Sequence, residues 1–394
     1  MREKLVLIGN GMAGVRAVEE LLKLAPDQYD ITVFGGEPHC NYNRILLSPV
    51  LAGEQQFEEI VLNDLDWYAE NGIRLMLNRK VVKIDRVKRR VIADDGSEAE
   101  YDRLLIATGS NPFILPIPGK DLQGVIGYRD IADTQVMMET AKTHKHAVVI
   151  GGGLLGLEAA NGLKLRGMDV TVVHIGDWLM ERQLDKTAGT LLQSALESRG
   201  LKFLLPKHTA ELLDNGEGRV CAVKFKDGEV IPADLVVMAA GIRPNIELAQ
   251  SAGLACNRGI VVDDTLRTAD PSIYAIGECA QHRDRTYGLV GPGFEQADTA
   301  AKSIAGEDTA YTGSAPATKL KVIGAEVFSV GEVEQLEQFS GTHTHVWRDG
   351  DLYRRIFITA GKLSGAIAVG GWDQASQVQN AVQNGATVYP WMVA

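Results

Sequence analysis

The sequence predicts an α/β protein with two doubly wound parallel sheets, one inserted in the other, and a C-terminal α+β domain. Two observations predict the two sheets: a glycine-rich G-x-G-x-x-G motif occurs twice, and the segments around it repeat in the same order. A third observation predicts the last domain, because the chain after residue 316 changes to alternating apolar and polar segments that are typical of antiparallel strands.

Each glycine motif stands between a predicted strand and a predicted helix. Residues 5–14 are LVLIGNGMAG and residues 147–156 are AVVIGGGLLG. In a Rossmann-like unit this order gives a tight turn, close approach of the backbone to a pyrophosphate, and close packing of helix on strand. The phosphates then lie at the helix N-terminus. Two such motifs imply two bound dinucleotides, and the usual chemical reason is hydride transfer from a nicotinamide to a flavin.

The two halves of the chain repeat at a coarse level. An alternating apolar run follows each motif, at residues 31–34 and 170–173, and predicts the second strand of each unit. Each half then closes with an apolar strand and a small-residue turn, at 104–109 and 235–241. Such a strand suits a return beside the first strand, where it reaches a bound cofactor.

A later segment brings the chain back to the first unit. Residues 272–278 predict a short strand that ends in Gly277 and Glu278, and a helix is predicted from residue 294 to about 305. Residues 309–316 are rich in Gly, Ser, Thr and Pro and predict a linker. The predicted domains are a split FAD-binding domain at 1–112 and 246–313, an NAD(P)H-binding domain at 113–245, and an α+β interface domain at 314–394, which ends in a helix from 374 to about 384.

Charge and hydropathy exclude other classes of protein. The chain has 40 Lys and Arg against 51 Asp and Glu, a net charge of −11, and no basic block that would bind nucleic acid. The sequence contains no apolar stretch of about 18 residues, so we predict no membrane span. The N-terminus leads directly into the first strand, so we expect no signal peptide there.

The four cysteines are too far apart in sequence for a shared site. Cys40, Cys221, Cys256 and Cys279 form no C-x-x-C pair, so the spacing predicts no dithiol centre, no iron–sulfur cluster and no metal site. We interpret them as reduced thiols of a cytoplasmic protein. Cys40 and Cys279 lie beside segments that we place near the flavin.

These features together resemble the two-dinucleotide pyridine-nucleotide-disulfide oxidoreductase superfamily over the whole chain. Within it, residues 41–48, NYNRILLS, and 51–54, LAGE, look like the NAD(P)H-binding flavoprotein portion of assimilatory nitrite reductase large subunits. So do residues 179–185, LMERQLD, and 287–293, YGLVGPG. Electron-transfer subunits of nitrate reductases and rubredoxin reductases are similar as well.

The resemblance implies an FAD-dependent NAD(P)H:acceptor oxidoreductase that takes hydride into FAD and passes electrons to a protein acceptor. That acceptor would be an iron–sulfur or haem protein, a nitrate or nitrite reductase subunit, rubredoxin or ferredoxin. The alternatives are an NAD(P)H oxidase, a disulfide or peroxide reductase, and a flavin-binding regulatory or assembly subunit. The sequence leaves open whether the chain forms a homo- or hetero-oligomer.

Nitrite reductase large subunits continue into iron–sulfur and sirohaem domains, whereas no cysteine follows Cys279 here. We therefore expect either an independent reductase that feeds another polypeptide or a part of a longer reductase.

The first motif and the resemblance together predict the FAD site. Glu37 is the candidate for the ribose hydroxyls, with a solvated turn residue as the alternative, and Arg44 matches an arginine that relatives use on the phosphates. The helix expected to open near Pro292 and Gly293 would direct its N-terminus at the flavin. The residues predicted to bind FAD are Gly9, Gly11, Met12, Ala13, Gly14, Glu37, Arg44, Val82, Ala107, Thr108, Gly109, Gly277, Glu278, Gly293 and Phe294.

The second motif predicts the NAD(P)H site. Glu158 matches a helix glutamate that relatives place near the nicotinamide, although a surface glutamate is the alternative. His174 occupies the position where NADH-specific enzymes commonly carry a carboxylate. A histidine, with Arg182 downstream, would not repel a 2′-phosphate, which favours NADPH or dual use. The residues predicted to bind the nucleotide are Gly151, Gly153, Leu154, Leu155, Gly156, Glu158, His174, Arg182 and Gly241.

No catalytic side chain is predicted. The redox cysteine of peroxidase and coenzyme-A-disulfide relatives would align near Ile45, and a lysine that other relatives carry after Leu-Ser is replaced by Pro49. Hydride transfer needs no protein acid or base, because the flavin carries the chemistry and the protein positions the two cofactors.

Overall fold

The computed structural model describes residues 2–322 and 325–387. The chain folds into two compact units. Unit 1 comprises Met1–Arg44, Glu58–Asn111 and Ile242–Ser314, and unit 2 comprises Ile45–Phe57, Pro112–Gly241 and Ala315–Ala394. The domain limits given above stay a prediction.

The secondary structure elements are numbered in chain order. The helices are α1 Met12–Leu24, α2 Leu47–Ala52, α3 Leu65–Glu70, α4 Ile131–Thr143, α5 Leu154–Leu165, α6 Lys186–Glu197, α7 Glu247–Ser251, α8 Val290–Ala305, α9 Val333–Gln338 and α10 Ala375–Gln383. The first ten strands are β1 Glu3–Ile8, β2 Tyr29–Phe34, β3 Asn41–Tyr42, β4 Val61–Asn63, β5 Arg74–Met76, β6 Val81–Asp85, β7 Arg90–Ala93, β8 Glu98–Glu100, β9 Arg103–Ile106 and β10 Ser110–Pro112.

Seventeen further strands follow within the described residues. Nine of them lie between residues 125 and 244, and they are β11 Val125–Ile126, β12 His146–Ile150, β13 Asp169–Val173, β14 Lys202–Leu204, β15 Thr209–Asp214, β16 Val220–Phe225, β17 Val230–Pro232, β18 Leu235–Met238 and β19 Ile242–Pro244. The others are β20 Ile260–Val262, β21 Ile273–Ala275, β22 Ala280–His282, β23 Ala317–Val322, β24 Ala325–Val330, β25 Thr342–Asp349, β26 Leu352–Thr359 and β27 Lys362–Val369.

Unit 1 contains a five-stranded parallel sheet in the order β21-β9-β1-β2-β5. Its central strand β1 starts with Glu3 and Lys4 and continues with the apolar run Leu5 to Ile8, which is almost completely buried, as a strand covered on both faces requires. β9 pairs in parallel with β1, Leu5 opposite Arg103 and Ile8 opposite Ile106. The predicted return of the closing strand beside the first strand is therefore confirmed.

Unit 2 repeats this arrangement in a second parallel sheet, in the order β11-β18-β12-β13-β14. β12 lies between β13 and the closing strand β18, and Ala147 stands opposite Leu235 in the register. In both sheets the strand order reverses at the strand that precedes the glycine motif. That switch point is where open α/β sheets bind ligands.

The last part of unit 2 is a five-stranded antiparallel sheet in the order β23-β24-β27-β26-β25. α10 packs on it through Val378 and Ala381, which join a core with Phe328, Ile356 and Trp372. The predicted antiparallel sheet and closing helix are confirmed.

The structure corrects the start of α8. This helix begins at Val290, four residues before the predicted start, and includes Gly291, Pro292 and Gly293 in its first turn. Proline is tolerated there because its missing N–H would have no partner within the helix. The glycine-proline-glycine run therefore lies inside the helix.

Candidate functional sites

The first glycine motif of unit 1 has the geometry of a phosphate-binding turn. Gly9 has φ of +110°, and a Cβ there would lie 2.1 Å from the carbonyl oxygen of Ala107. A Cβ at Gly14 would lie 2.8 Å from the oxygen of Gly9, so α1 packs closely on the turn. At Gly11 a Cβ would meet no atom within 4 Å. Gly9 and Gly14 are therefore needed by the fold, whereas Gly11 leaves room for a ligand.

The second motif repeats these three roles in unit 2. Gly151 has φ of +130°, and a Cβ there would lie 2.2 Å from the oxygen of Ala239. A Cβ at Gly156 would lie 2.0 Å from the oxygen of Gly151, whereas one at Gly153 would meet nothing within 4 Å. The two motifs thus have the same backbone conformation and the same close contacts.

The helices that follow the motifs begin without a capping side chain. Asp64, Asp130 and Asp185 cap α3, α4 and α6 by accepting a bond from a first-turn N–H group. α1 and α5 have Gly11 and Gly153 at the N-cap position instead, and glycine offers no such oxygen. Their first-turn N–H groups and helix dipoles suit an anionic ligand. Each cradle therefore fits a dinucleotide pyrophosphate.

Two residues predicted for the FAD site, Glu37 and Arg44, lie next to each other. Arg44 Nη2 donates to Glu37 Oε1, and the hydroxyl of Tyr42 donates to Glu37 Oε2 at 2.7 Å. The Arg44 guanidinium also lies over the Tyr42 ring, 5.0 Å from its centroid. The structure thus places a carboxylate and a guanidinium together after β2, near the carboxyl end of the unit 1 sheet.

Three small residues bring α1, the Gly277 turn and α8 together. A Cβ on Gly277 would lie 3.3 Å from the Cβ of Ala13, and one on Gly293 would lie 3.4 Å from it. The Gly277 N–H donates to the buried Gln296 side chain at 2.7 Å. Sequence reasoning missed Gln296, although its position one turn after Gly293 was a signal. Glu278 beside this junction accepts a bond from Ser110 at 2.8 Å.

The turn after β9 is held by Asn245. The Thr108 hydroxyl donates to the Asn245 carbonyl and the Asn245 side-chain amide donates to the Thr108 carbonyl, both at 2.9 Å. The backbone N–H of Asn245 also donates to Gly109. Asn245 was missed as a supporting residue, because its partners are 137 residues away in sequence.

The remaining predicted FAD residues differ in their surroundings. Met12 opens α1, and the backbone N–H of Ala107 donates to Ile8 at 2.8 Å. Phe294 lies beneath the Arg16 guanidinium, 5.9 Å from the ring centroid. Val82 lies on the three-stranded sheet formed by β6, β7 and β8, with 52% of its surface exposed.

Glu158 in unit 2 lies in an environment that opposes its charge. Ser48 Oγ lies 2.9 Å from Glu158 Oε2 and 3.2 Å from the hydroxyl of Tyr128. Burial raises the pKa of Glu158 to about 7, and the bond from Ser48 only partly counters that rise. The alternative of an ordinary surface glutamate does not fit this environment.

His174, also in unit 2, is buried and holds both of its ring nitrogens in hydrogen bonds. Nδ1 accepts from the backbone N–H of Gly152 at 3.1 Å, and Nε2 lies 2.8 Å from Glu181 Oε2. Sequence reasoning missed Glu181, seven residues beyond His174. The hydrogen bond with His174 lowers the pKa of Glu181, and the charge of the adjacent, exposed Arg182 adds to this effect.

The other predicted nucleotide residues lie around the second motif. Leu154 and Leu155 form the first turn of α5 and are half-buried. Gly241 follows β18 with φ of +117°, and a Cβ there would meet no atom within 4 Å.

The cysteines are not arranged as a redox centre. All four are free thiols. Burial raises the pKa of Cys40, Cys256 and Cys279, which disfavours the reactive thiolate. Ile45, at the position predicted to align with the redox cysteine of relatives, has 52% of its surface exposed.

Within the described part of the chain, no three His, Cys, Asp or Glu side chains are grouped so that they could hold a metal ion. None of the helices within residues 2–322 and 325–387 combines the length and apolar composition needed to cross a membrane.

Two family matches agree with this geometry. Residues 3–303 match the pyridine nucleotide-disulphide oxidoreductase family. The chain belongs to this family. Because the family is FAD-dependent and binds NAD(P)H, the chain is an FAD-dependent NAD(P)H oxidoreductase. Residues 316–386 match the rubredoxin NAD+ reductase C-terminal domain, which corresponds to the antiparallel sheet and α10.

Curated relatives in the family align over nearly the whole chain. A nitrite reductase [NAD(P)H] from Bacillus subtilis (strain 168) is 50% identical over 388 residues, which cover 98% of this chain and 48% of the relative. An assimilatory nitrate reductase electron transfer subunit from the same organism is 48% identical, covering 94% of this chain and 48% of the relative. The chain thus spans about half the length of these relatives.

A solved structure gives the same picture of the fold. The reductase chain in the covalent putidaredoxin reductase–putidaredoxin complex superposes with a TM-score of 0.90 at 26% identity, covering 99% of this chain and 95% of that one. The predicted fold class, two Rossmann-like domains with a C-terminal α+β domain, is confirmed at the level of the family.

Proposed function

We propose that the chain takes hydride from NAD(P)H into FAD and passes electrons singly to a protein acceptor. The observation that carries the proposal is the pair of matching glycine cradles, one in each unit, without a reactive thiol beside either of them. FAD, when bound, would supply the chemistry that accepts two electrons as hydride and releases them one at a time. A thiol mechanism would instead need a thiolate of lowered pKa.

We assign FAD to unit 1 and the nicotinamide nucleotide to unit 2. In unit 1 the first turn of α1 would hold the FAD pyrophosphate, and the adjacent Glu37 and Arg44 would contact the ribose and phosphate. In unit 2 the first turn of α5 would hold the second pyrophosphate. Glu158, whose pKa is about 7, would present a carboxyl group that is largely uncharged below neutral pH.

Two relatives support a protein acceptor. One is named as the electron transfer subunit of an assimilatory nitrate reductase, and another was solved joined to putidaredoxin. We propose an iron–sulfur or haem partner, a nitrate or nitrite reductase subunit, rubredoxin or ferredoxin as the acceptor. The four free cysteines support the predicted cytoplasmic location, because disulfides are rare in that compartment.

An anaerobic titration tests the proposal. The purified, FAD-loaded chain is mixed with NADH or NADPH in a stopped-flow instrument, and flavin absorbance is followed at about 450 nm. We expect rapid bleaching, and then reoxidation on addition of rubredoxin, ferredoxin or a nitrite reductase partner. Faster reoxidation by oxygen, peroxide or a disulfide would favour the oxidase or the disulfide and peroxide reductase. A flavin that does not bleach would favour the regulatory or assembly subunit.

A further inference from the structure

His174 is held in one tautomer by its two hydrogen bonds. The Gly152 N–H can only donate, so Nδ1 must carry a lone pair and act as the acceptor. The proton of the neutral ring therefore lies on Nε2, where it is donated to the Glu181 carboxylate 2.8 Å away. His174 thus binds the second glycine motif through Nδ1 and Glu181 through Nε2.

The segment that carries Glu181 is attached to the same peptide group. The backbone N–H of Met180 donates to the Gly152 carbonyl at 3.0 Å. Gly152 therefore binds His174 through its N–H and Met180 through its carbonyl. Met180 is buried and adopts φ of +55°, a left-handed conformation that is unusual for a non-glycine residue. This backbone turn fixes the position of Glu181 relative to the second glycine motif.

Two glycines make room for the pair. A Cβ on Gly152 would lie 2.8 Å from the His174 ring, so this motif position must be glycine for the ring to fit. A Cβ on Gly176 would lie 2.8 Å from His174 Nε2 and 3.4 Å from the Glu181 carboxyl carbon. Because Gly152 and Gly176 have no side chains, there is room for the His174 ring and the Glu181 carboxylate between them.

We propose that Glu181, positioned by His174, binds the adenosine ribose of the nicotinamide nucleotide and makes the chain selective for NADH. The inference rests on the proposed assignment of the nucleotide to unit 2. His174 directly follows β13, where Rossmann-like units commonly present the carboxylate that accepts the ribose 2′-hydroxyl. Here His174 occupies that position and is hydrogen-bonded to the carboxylate of Glu181, which lies seven residues later.

Charge decides between the two nucleotides. The bond from His174 holds the pKa of Glu181 below its usual range, so the group is ionised at neutral pH. An ionised carboxylate can accept the 2′-hydroxyl of NADH, but it repels the 2′-phosphate of NADPH. Arg182 is adjacent and exposed, but its attraction for a phosphate is offset by the neighbouring Glu181 charge. The proposal therefore favours NADH, whereas the sequence alone favours NADPH or dual use.

Equilibrium binding to the FAD-loaded chain tests the inference without turnover. ADP-ribose and 2′-phospho-ADP-ribose are titrated by calorimetry. We expect the wild-type chain to bind ADP-ribose at least about tenfold more tightly, which is about 1.4 kcal/mol. Glu181→Gln should reduce this ratio about tenfold by removing the repulsion. Glu197→Gln, the same charge change at an exposed position of α6, should leave the ratio unchanged.

Two variants separate the roles of the histidine nitrogens. His174→Asn keeps an acceptor for Gly152 but cannot reach Glu181, so the ratio should fall as in Glu181→Gln. His174→Gln can still donate to Glu181, so the ratio should persist even if both ligands bind more weakly.

A wild-type chain that binds the two ligands equally, or prefers the 2′-phosphate, overturns the selectivity while the proposed function stands. Binding of neither ligand would instead contradict the assignment of the nucleotide to unit 2. Equal ratios in wild type and Glu181→Gln would overturn the role of Glu181.

Discussion

At the scale of single residues, burial couples the charge of Glu158 to the stability of the protein. Its pKa rises from an ordinary 4.5 to about 7, so the folded chain binds more protons than the unfolded chain between these values. Stability contributed by this group is fully present below pH 4.5 and is lost as the pH rises through 7. Glu158→Gln should therefore raise the melting temperature at pH 8 relative to wild type, with a smaller change at pH 5.

The measurement is thermal unfolding of both proteins at the two pH values. Glu197→Gln, an exposed charge change on α6, serves as the control and should shift the melting temperature equally at both. A Glu158→Gln shift that is the same at pH 5 and pH 8 would show that Glu158 is not a buried acid of raised pKa.

The partners of the site residues could not be predicted from the sequence. Glu37 and His174 are predicted from their positions after the second strand of each unit, which places them near the ends of β2 and β13, whereas Arg44 is predicted from the resemblance to relatives. Their hydrogen bonds depend on local backbone turns. Glu181 reaches His174 only because Met180 adopts a left-handed conformation, and neither propensity nor hydropathy predicts such a residue.

At the scale of elements, the glycine motifs separate a ligand role from a packing role. Gly11 and Gly153 have φ of −91° and −85°, and a Cβ at either would meet no protein atom within 4 Å. Gly11→Ala should therefore fold normally and lose FAD affinity. Gly153→Ala should keep FAD and lose NAD(P)H affinity, because the methyl group would enter the space assigned to the pyrophosphate. FAD content and calorimetric titration measure the two effects.

Gly156→Ala is the matched variant for packing. Its Cβ would lie 2.0 Å from the Gly151 carbonyl, so α5 must move away from the turn, at a cost of about 1–3 kcal/mol in the free energy of unfolding. Chemical denaturation measures this loss. If Gly11→Ala or Gly153→Ala proved as destabilising as Gly156→Ala, the space beside those two glycines would not be a ligand cradle.

The repeated elements explain why the fold was predictable. Apolar strands, glycine turns and closing strands occur twice in the same order, and a buried parallel strand must be apolar on both faces. The start of α8 was less predictable, since Gly291 and Pro292 indicate a break in most contexts. In the first turn neither residue breaks the helix, because backbone bonds are not yet required there.

At the scale of the whole molecule, each compact unit contains its own parallel sheet and its own glycine cradle. The chain spans about half the length of the nitrite reductase and of the nitrate reductase electron transfer subunit that it resembles. Reduction of nitrite is therefore not assigned to this chain, and the proposed reaction ends at electron transfer to another protein.

Turnover with a protein acceptor should survive without the two cysteines that lie nearest to the predicted flavin segments. Cys279 is buried and its Sγ donates to the Ile276 carbonyl, whereas Cys40 is half-buried; burial raises the pKa of both. Cys40→Ser and Cys279→Ser should retain NAD(P)H-dependent reduction of ferricyanide or a small redox protein to within a few-fold, about 1 kcal/mol in barrier.

Rates are normalised to bound flavin, because Cys279 follows Glu278 directly. If Cys40→Ser abolished normalised turnover while flavin bleaching by NAD(P)H stayed fast, electrons would be leaving through a thiol, and the chain would be a disulfide or peroxide reductase.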